Sequence, residues 1–129
     1  DGKRLMYSAA HQRDEFKPRL WLVDGTGAGM GQNRQSLSLE TWPHKCVFAS
    51  TDTAYCGVPT SLPRGAGLIP SVADDIPDEF YKIDLRTGTT SRIATPEGDL
   101  NVASLSLSQD GNTLFVHDRF SKTIKKLSL

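Results

Sequence analysis

The stretch "LSLSQDGNTLFVHD" constrains the fold more than any other part of this chain. It reads as two apolar strands around Gln109-Asp110-Gly111-Asn112, a hairpin in which Gly111 supplies a positive φ and Asp110 accepts from nearby backbone N–H groups. The same strand–turn–strand character recurs in "DGKRLMYS" and "STDTAYCG", with Leu5, Ala54 and Leu114 at one equivalent position. A second string recurs as "LWLVDGTG", "FYKIDLRTG" and "TIKKLSL", with Val23, Ile83 and Leu127 equivalent. Val23 to Ala54 and Ile83 to Leu114 both span 31 residues, while the gap from the first marker to the second varies. One half of the unit is constant and the other half carries insertions. "CVFAS" and "LSLSQ" match best when shifted by one, so compensating loop changes are expected.

Strand signals dominate elsewhere too. The expected strands are Arg4–Ala9, Arg19–Asp24, Arg34–Leu39, Lys45–Ala49, Ala54–Val58, Phe80–Leu85, Ser91–Ala94, Val102–Ser108, Thr113–Asp118 and Thr123–Leu129. No window has a period of 3.6. "DEFKPRL" and "GLIPSVADDIPDEF" are interrupted by proline and leave room for a single helical turn at most. The shortest version of the repeat has a period of 44 residues, the size of a four-stranded β-propeller blade. Naming the strands a to d divides the chain into an incomplete blade over 1–40 (b to d), a complete one over 42–96 with an insertion at 59–79, and an incomplete one over 99–129 (a to c).

These motifs resemble the bacterial WD40-like and TolB-type propeller repeats. Their pattern is an apolar strand, a Ser-Pro-Asp-Gly-type turn, a second apolar strand, and a third ending in an apolar residue followed by Asp and Gly. It is carried by "LSLSQDGNTLFVHD" with "IKKLSL", "DGKRLMYS" with "LWLVDGTG", and "FAS-TDTAYC" with "FYKIDLRTG". Gln109 stands where Pro is usual, and Ser50-Thr51 replaces Asp-Gly. The resemblance implies an all-β chain, an arc of about three blades rather than a closed ring. A generic sandwich of about ten strands is the competing architecture. A chain that opens at Asp1 between repeat boundaries reads as processed or cut, or as one member of an assembly. An open arc exposes two blade faces, apolar surface on the scale of an interface. Remaining blades, another protein or a second copy are therefore the expected partners.

Charge gives no reason to expect nucleic acid, since 15 Lys+Arg balance 15 Asp+Glu. No apolar run approaches the roughly 20 residues of a membrane-spanning helix, so no membrane insertion is expected. Cys46 and Cys56 fall on the first two strands of the middle blade. Pairing about the hairpin centre sets them nearly opposite, at bridging distance. A slip of one residue would send them to opposite faces as two small buried side chains. A bridge would imply an extracytoplasmic setting.

No catalytic, cofactor or metal site is legible. "DGTGAGMGQN" has Met30 where a dinucleotide fingerprint needs its third glycine, and no helix follows. It reads as a hairpin loop. No Gly-x-Ser-x-Gly elbow and no zinc spacing occur. The acidic run Asp74, Asp75, Asp78, Glu79 lacks the ordered spacing of a calcium loop. The individual features are two insertions on the same b–c connection, "AHQRDEFKP" and "PTSLPRGAGLIPSVADDIPDE". In a propeller both emerge on one face. His11, Phe16, Arg64, Asp74 and Asp75 are the expected binding-loop residues, while Leu62, Leu68, Ile69 and Val72 are expected to cover a blade edge. His44 and His117 are expected to pack, and Trp21 and Trp42 to lie in the core or between blades. The expected function is a non-catalytic binding or scaffold module of a larger bacterial extracytoplasmic protein. The alternative is a propeller-type hydrolase or lyase, or the propeller part of a serine peptidase, with catalytic residues outside this chain.

Overall fold

Most strands carry apolar residues at successive positions, and the chain resolves them into three antiparallel sheets with no α-helix among the described residues. The computed structural model describes residues 4–93 and 98–129. The first sheet is β1 (Arg4–Ala10), β2 (Pro18–Asp24) and β3 (Gln35–Ser36). The central sheet is β4 (Cys46–Phe48), β5 (Thr53–Pro59), β6 (Asp78–Asp84) and β7 (Thr90–Ile93). The third runs β8 (Val102–Leu107), β9 (Thr113–Asp118) and β10 (Thr123–Ser128). Each expected strand has a counterpart. Ala94 lies outside the described residues, as do Asp1 and Gly2.

The repeat markers meet in space. Leu5 pairs with Val23, Ala54 with Ile83, and Leu114 with Leu127, each directly across a ladder. The expected Arg34–Leu39 strand is shorter than its sequence suggests. Only Gln35 and Ser36 form the ladder, although Leu37 N–H donates to Leu20 O at 3.0 Å and Leu20 N–H donates to Leu39 O at 2.9 Å. Ser38, at φ 59°, is skipped between those two bonds. A left-handed residue interrupts regular pairing while Leu37 and Leu39 both stay in the core.

The turns show the local chemistry expected of them. Gly111 sits at φ 77°, and Asp110 Oδ1 accepts from Ser108 Oγ at 2.6 Å and Asn112 N–H at 3.0 Å. In the central sheet Ser50 takes that part: its Oγ accepts from Asp52 N–H at 3.2 Å. The "DGTGAGMGQN" segment connects β2 to β3 through one 3₁₀ turn, Gly27–Gly29.

Two cores hold the sheets together. Leu20, Leu22, Leu37 and Leu39 of the first sheet and its margin meet Ala54, Cys56, Ile83 and Leu85 on one face of the central sheet. Tyr55 and Phe80 on its other face meet Leu100, Val102, Leu114, Val116 and Leu127. The central sheet is thus buried on both faces. Gly57 permits the closest approach, since a Cβ there would lie 2.6 Å from Val102 Cγ2.

Cys46 lies directly opposite Cys56 in the β4–β5 ladder, and the two are joined as a disulfide with Cα atoms 4.0 Å apart. The bridge covers a sequence separation of 10 residues. Closing so short a loop removes about 2–3 kcal/mol of unfolded-state entropy. Urea unfolding of the Cys46→Ala/Cys56→Ala double variant should therefore show a loss of about 2–3 kcal/mol. A variant as stable as the parent would show that the bridge adds nothing to this short edge strand.

Candidate functional site

Two connections leave the same end of the sheets, residues 11–17 after β1 and residues 60–77 after β5. Their residues do not stay apart. Glu15 and Phe16 adopt left-handed backbone, φ 57° and 55°, which leaves their carbonyls free to accept from the longer loop. Gly65 N–H donates to Glu15 O at 2.8 Å and Gly67 N–H donates to Phe16 O at 2.7 Å. Arg64 Nε lies 3.4 Å from Glu15 Oε2, an exposed pair that contributes little by itself. Gly67 is required by space: a Cβ there would meet both Ala10 Cβ and Phe16 O at 2.7 Å. The insertions form one continuous surface.

Each expected binding residue has a definite place. His11 caps the 3₁₀ turn Gln12–Asp14, its Nδ1 accepting from Arg13 N–H at 3.1 Å. Phe16 is partly exposed beside the longer loop. Arg64 joins the loops as described. Asp74 lies 3.6 Å from Arg119 Nε, tying the long loop toward the third sheet. Asp75 is exposed. The structure brings Phe16 and Arg64 together at the loop junction. Asp74 and Asp75 sit further along the long loop. Arg19 braces the short loop by donating to both carboxylate oxygens of Asp14, at 3.1 and 2.7 Å, and this holds the Asp14 carboxyl below its usual range.

Of Leu62, Leu68, Ile69 and Val72, expected to cover a blade edge, Leu62 packs within the loop and the other three are exposed. Trp42, Ala66 and Ala73 form a small core with Leu62 and Ile76 against it. Leu68 is 64% exposed, Ile69 59% and Val72 40%. The two alanines fit under Trp42, and the larger aliphatic side chains turn outward. Trp42 is buried, with His44 stacked on it at 6.1 Å. Burial and neighbouring Lys45 push the His44 pKa down. His117 is exposed on β9 rather than packed, and Trp21 is half-buried on the outer face of the first sheet, stacked on Tyr7 at 6.5 Å.

Beneath the long loop lies a buried polar cluster that the sequence did not announce. Lys45 Nζ donates to Asp78 Oδ2 at 2.7 Å and to Val102 O at 3.0 Å, and lies 3.4 Å from Asn101 Oδ1. Val102 N–H donates to the same Asp78 Oδ2 at 2.7 Å. Asn101 Nδ2 donates to Ala73 O and Ile76 O, both at 2.8 Å, and so grips the loop itself. Asn101 N–H in turn donates to Asp118 Oδ1 at 2.9 Å. Thr60 N–H donates to Pro77 O at 2.9 Å and closes the loop base. The Lys45 and Asp78 side chains are 3% and 0% exposed. Asp78 therefore does not belong to a solvated acidic run. Burial raises its pKa against the pull of Lys45, and burial lowers the pKa of Lys45 against the pull of Asp78. Asp78 Oδ1 has no hydrogen-bond partner among the described residues. A charged side chain flanking a strand reads as solvated in sequence. The available signal was that Lys45, Asp78 and Asn101 each stand at or beside the first residue of a strand.

Among the described residues no three His, Cys, Asp or Glu side chains group closely enough to hold a metal ion, and no helix is long and apolar enough to cross a membrane. No protein-family model matches the chain, and no curated protein matches its sequence.

Two expected outcomes follow from this geometry. Lys45→Met strands a buried carboxylate and should cost about 3–5 kcal/mol in urea unfolding. Adding Asp78→Asn keeps an acceptor for Val102 N–H without the charge, and should recover at least half of that loss. A double variant as unstable as the summed singles would rule out the pairing as the source. Gly67→Val should separate the loops, seen as faster amide exchange at Gly65 and Gly67 with the sheet amides unchanged.

Proposed function

We propose that this chain is an arc of β-propeller-type blades serving as an extracytoplasmic, non-catalytic binding module, with the joined loops 11–17 and 60–77 as its ligand surface. The observation that carries this reading is the docking of those two loops into one surface at one end of the sheets. Binding residues are commonly displayed on loops positioned by a rigid scaffold. The blade reading is supported by the repeat markers, which pair identically in each sheet, and by the two-sided burial of the central sheet. The extracytoplasmic reading is supported by the Cys46–Cys56 bridge, which a reducing compartment would open.

The chemistry of the loop crest favours a protein ligand. Phe16, Leu68, Ile69 and Val72 expose apolar surface there, with Arg64 and Asp75 exposed on the same loops. An apolar patch with a charged rim is the make-up of a protein-binding surface. Peptides selected against the purified chain from a displayed random library test this. Their footprint, read by amide exchange, should fall on 11–17 and 60–77. Leu68→Ser/Ile69→Ser should weaken the selected peptides at least tenfold, with urea unfolding unchanged. Footprints confined to the sheet faces, or affinities indifferent to this substitution, would overturn the reading.

A further inference from the structure

The sheets stack in one sense only. Each has a leading face, bearing Leu5, Ala54 or Leu114, and a trailing face, bearing Met6, Tyr55 or Phe115. The trailing face of the first sheet packs on the leading face of the central sheet, with Leu20, Leu22 and Met6 against Ala54, Cys56 and Ile83. The trailing face of the central sheet packs on the leading face of the third, with Tyr55 and Phe80 against Leu114 and Val116. Among the described residues two faces are left, the leading face of the first sheet and the trailing face of the third.

They differ in character. On the first, Leu5 is 51% exposed, and Tyr7 and Trp21 stand side by side as a cross-strand pair with near-parallel rings, 12° apart. Both border an open hollow of about 700 Å³ that reaches Arg34 and, on the short loop, His11, Arg13 and Asp14. On the second, Ile124 is 57% exposed and lies opposite His117, while Lys126 lies opposite Phe115. Ser104 and Ser106 lie across from His117 and Phe115. A hollow of about 500 Å³ lies beside Ile124, His117 and Ala103. One face offers aromatic rings with polar tips, and the other offers Ile124 and Ala103 in a recess lined also by His117, Asp118, Arg119 and Lys122. Tyr and Trp suit such mixed contacts, and an ammonium group is attracted to a ring face.

We propose that a second copy of this chain docks head to tail, its third sheet seated by the trailing face on the leading face of the first sheet. The contact continues the two sheet-on-sheet junctions already present within the chain, in the same front-to-back sense. It is heterologous, so one copy keeps its trailing face free and the other its leading face unless the pair closes on itself. The inference rests on the sheet stack, although the hollow on the leading face also touches His11, Arg13 and Asp14 of the short loop.

Light scattering on the full chain over a concentration series, without reductant, tests it. The mass should rise above 14.1 kDa toward twice that value or higher. Trp21→Glu, with Leu5→Glu as a second leading-face change, should weaken association at least tenfold. Ile124→Glu on the trailing face should do the same. Cooperative urea unfolding reports that each variant is folded. The deciding sample is a mixture of Trp21→Glu and Ile124→Glu, in which one intact pair of faces remains and a dimer should return. A monomer at every concentration overturns the proposal. So does association sensitive to Trp21→Glu but indifferent to Ile124→Glu, which would mean like faces meet. A mixture that stays monomeric overturns it as well. Leu68 and Ile69 lie outside both hollows, so the loss of peptide binding on changing them is read independently of association.

Discussion

Burial of the central sheet on both faces is the constraint on which the rest of the structure depends. A strand with apolar residues at successive positions cannot satisfy them against one neighbour, because alternate side chains point to opposite sides. Ala54, Cys56 and Ile83 need a layer on one side, while Tyr55 and Phe80 need one on the other. The first and third sheets supply those layers. The same requirement explains Gly57, where Val102 comes too close for any side chain. It also sets the value of the bridge. β4 has three residues and three ladder pairs, and a covalent link between Cys46 and Cys56 fixes its register where so short a ladder would do so weakly.

What was legible in the sequence was whatever is decided locally. Leu5, Ala54 and Leu114 were aligned from the pattern alone, and their partners Val23, Ile83 and Leu127 prove to be their cross-strand neighbours. That follows because strand alternation and hairpin turns are short-range properties. Gly111 and Asp110 form the turn their identities imply, and Ser50 takes the part of the missing aspartate. The opposed cysteines depended on a register that the hairpin centre sets.

What was not legible was decided by distant neighbours. Lys45, Asp78 and Asn101 lie far apart in sequence, and only sheet packing brings them into one buried cluster. Each alone is an ordinary polar residue at a strand boundary. The long loop shows the converse. Leu68, Ile69 and Val72 have the composition of a covering layer, yet the space beneath the loop is filled by Trp42 with Ala66 and Ala73. Ser38 was missed for a third reason, since a single left-handed residue in a strand leaves no trace in an apolar pattern. The propeller resemblance rested on local motifs, and local motifs specify a sheet better than the arrangement of several.

The anchoring of the long loop has a consequence for change over time. Asn101 holds Ala73 and Ile76, Thr60 meets Pro77, and Gly67 rests on the short loop, so the segment is fastened at its base and along one flank. The stretch carrying Leu68, Ile69 and Val72 is held by its own turns and leaves these three side chains exposed. Its side chains can be exchanged with little effect on the sheets. The fold thus divides its own sequence into a part that selection must hold fixed and a crest that can be rewritten, which is the division a scaffold for engineered recognition needs.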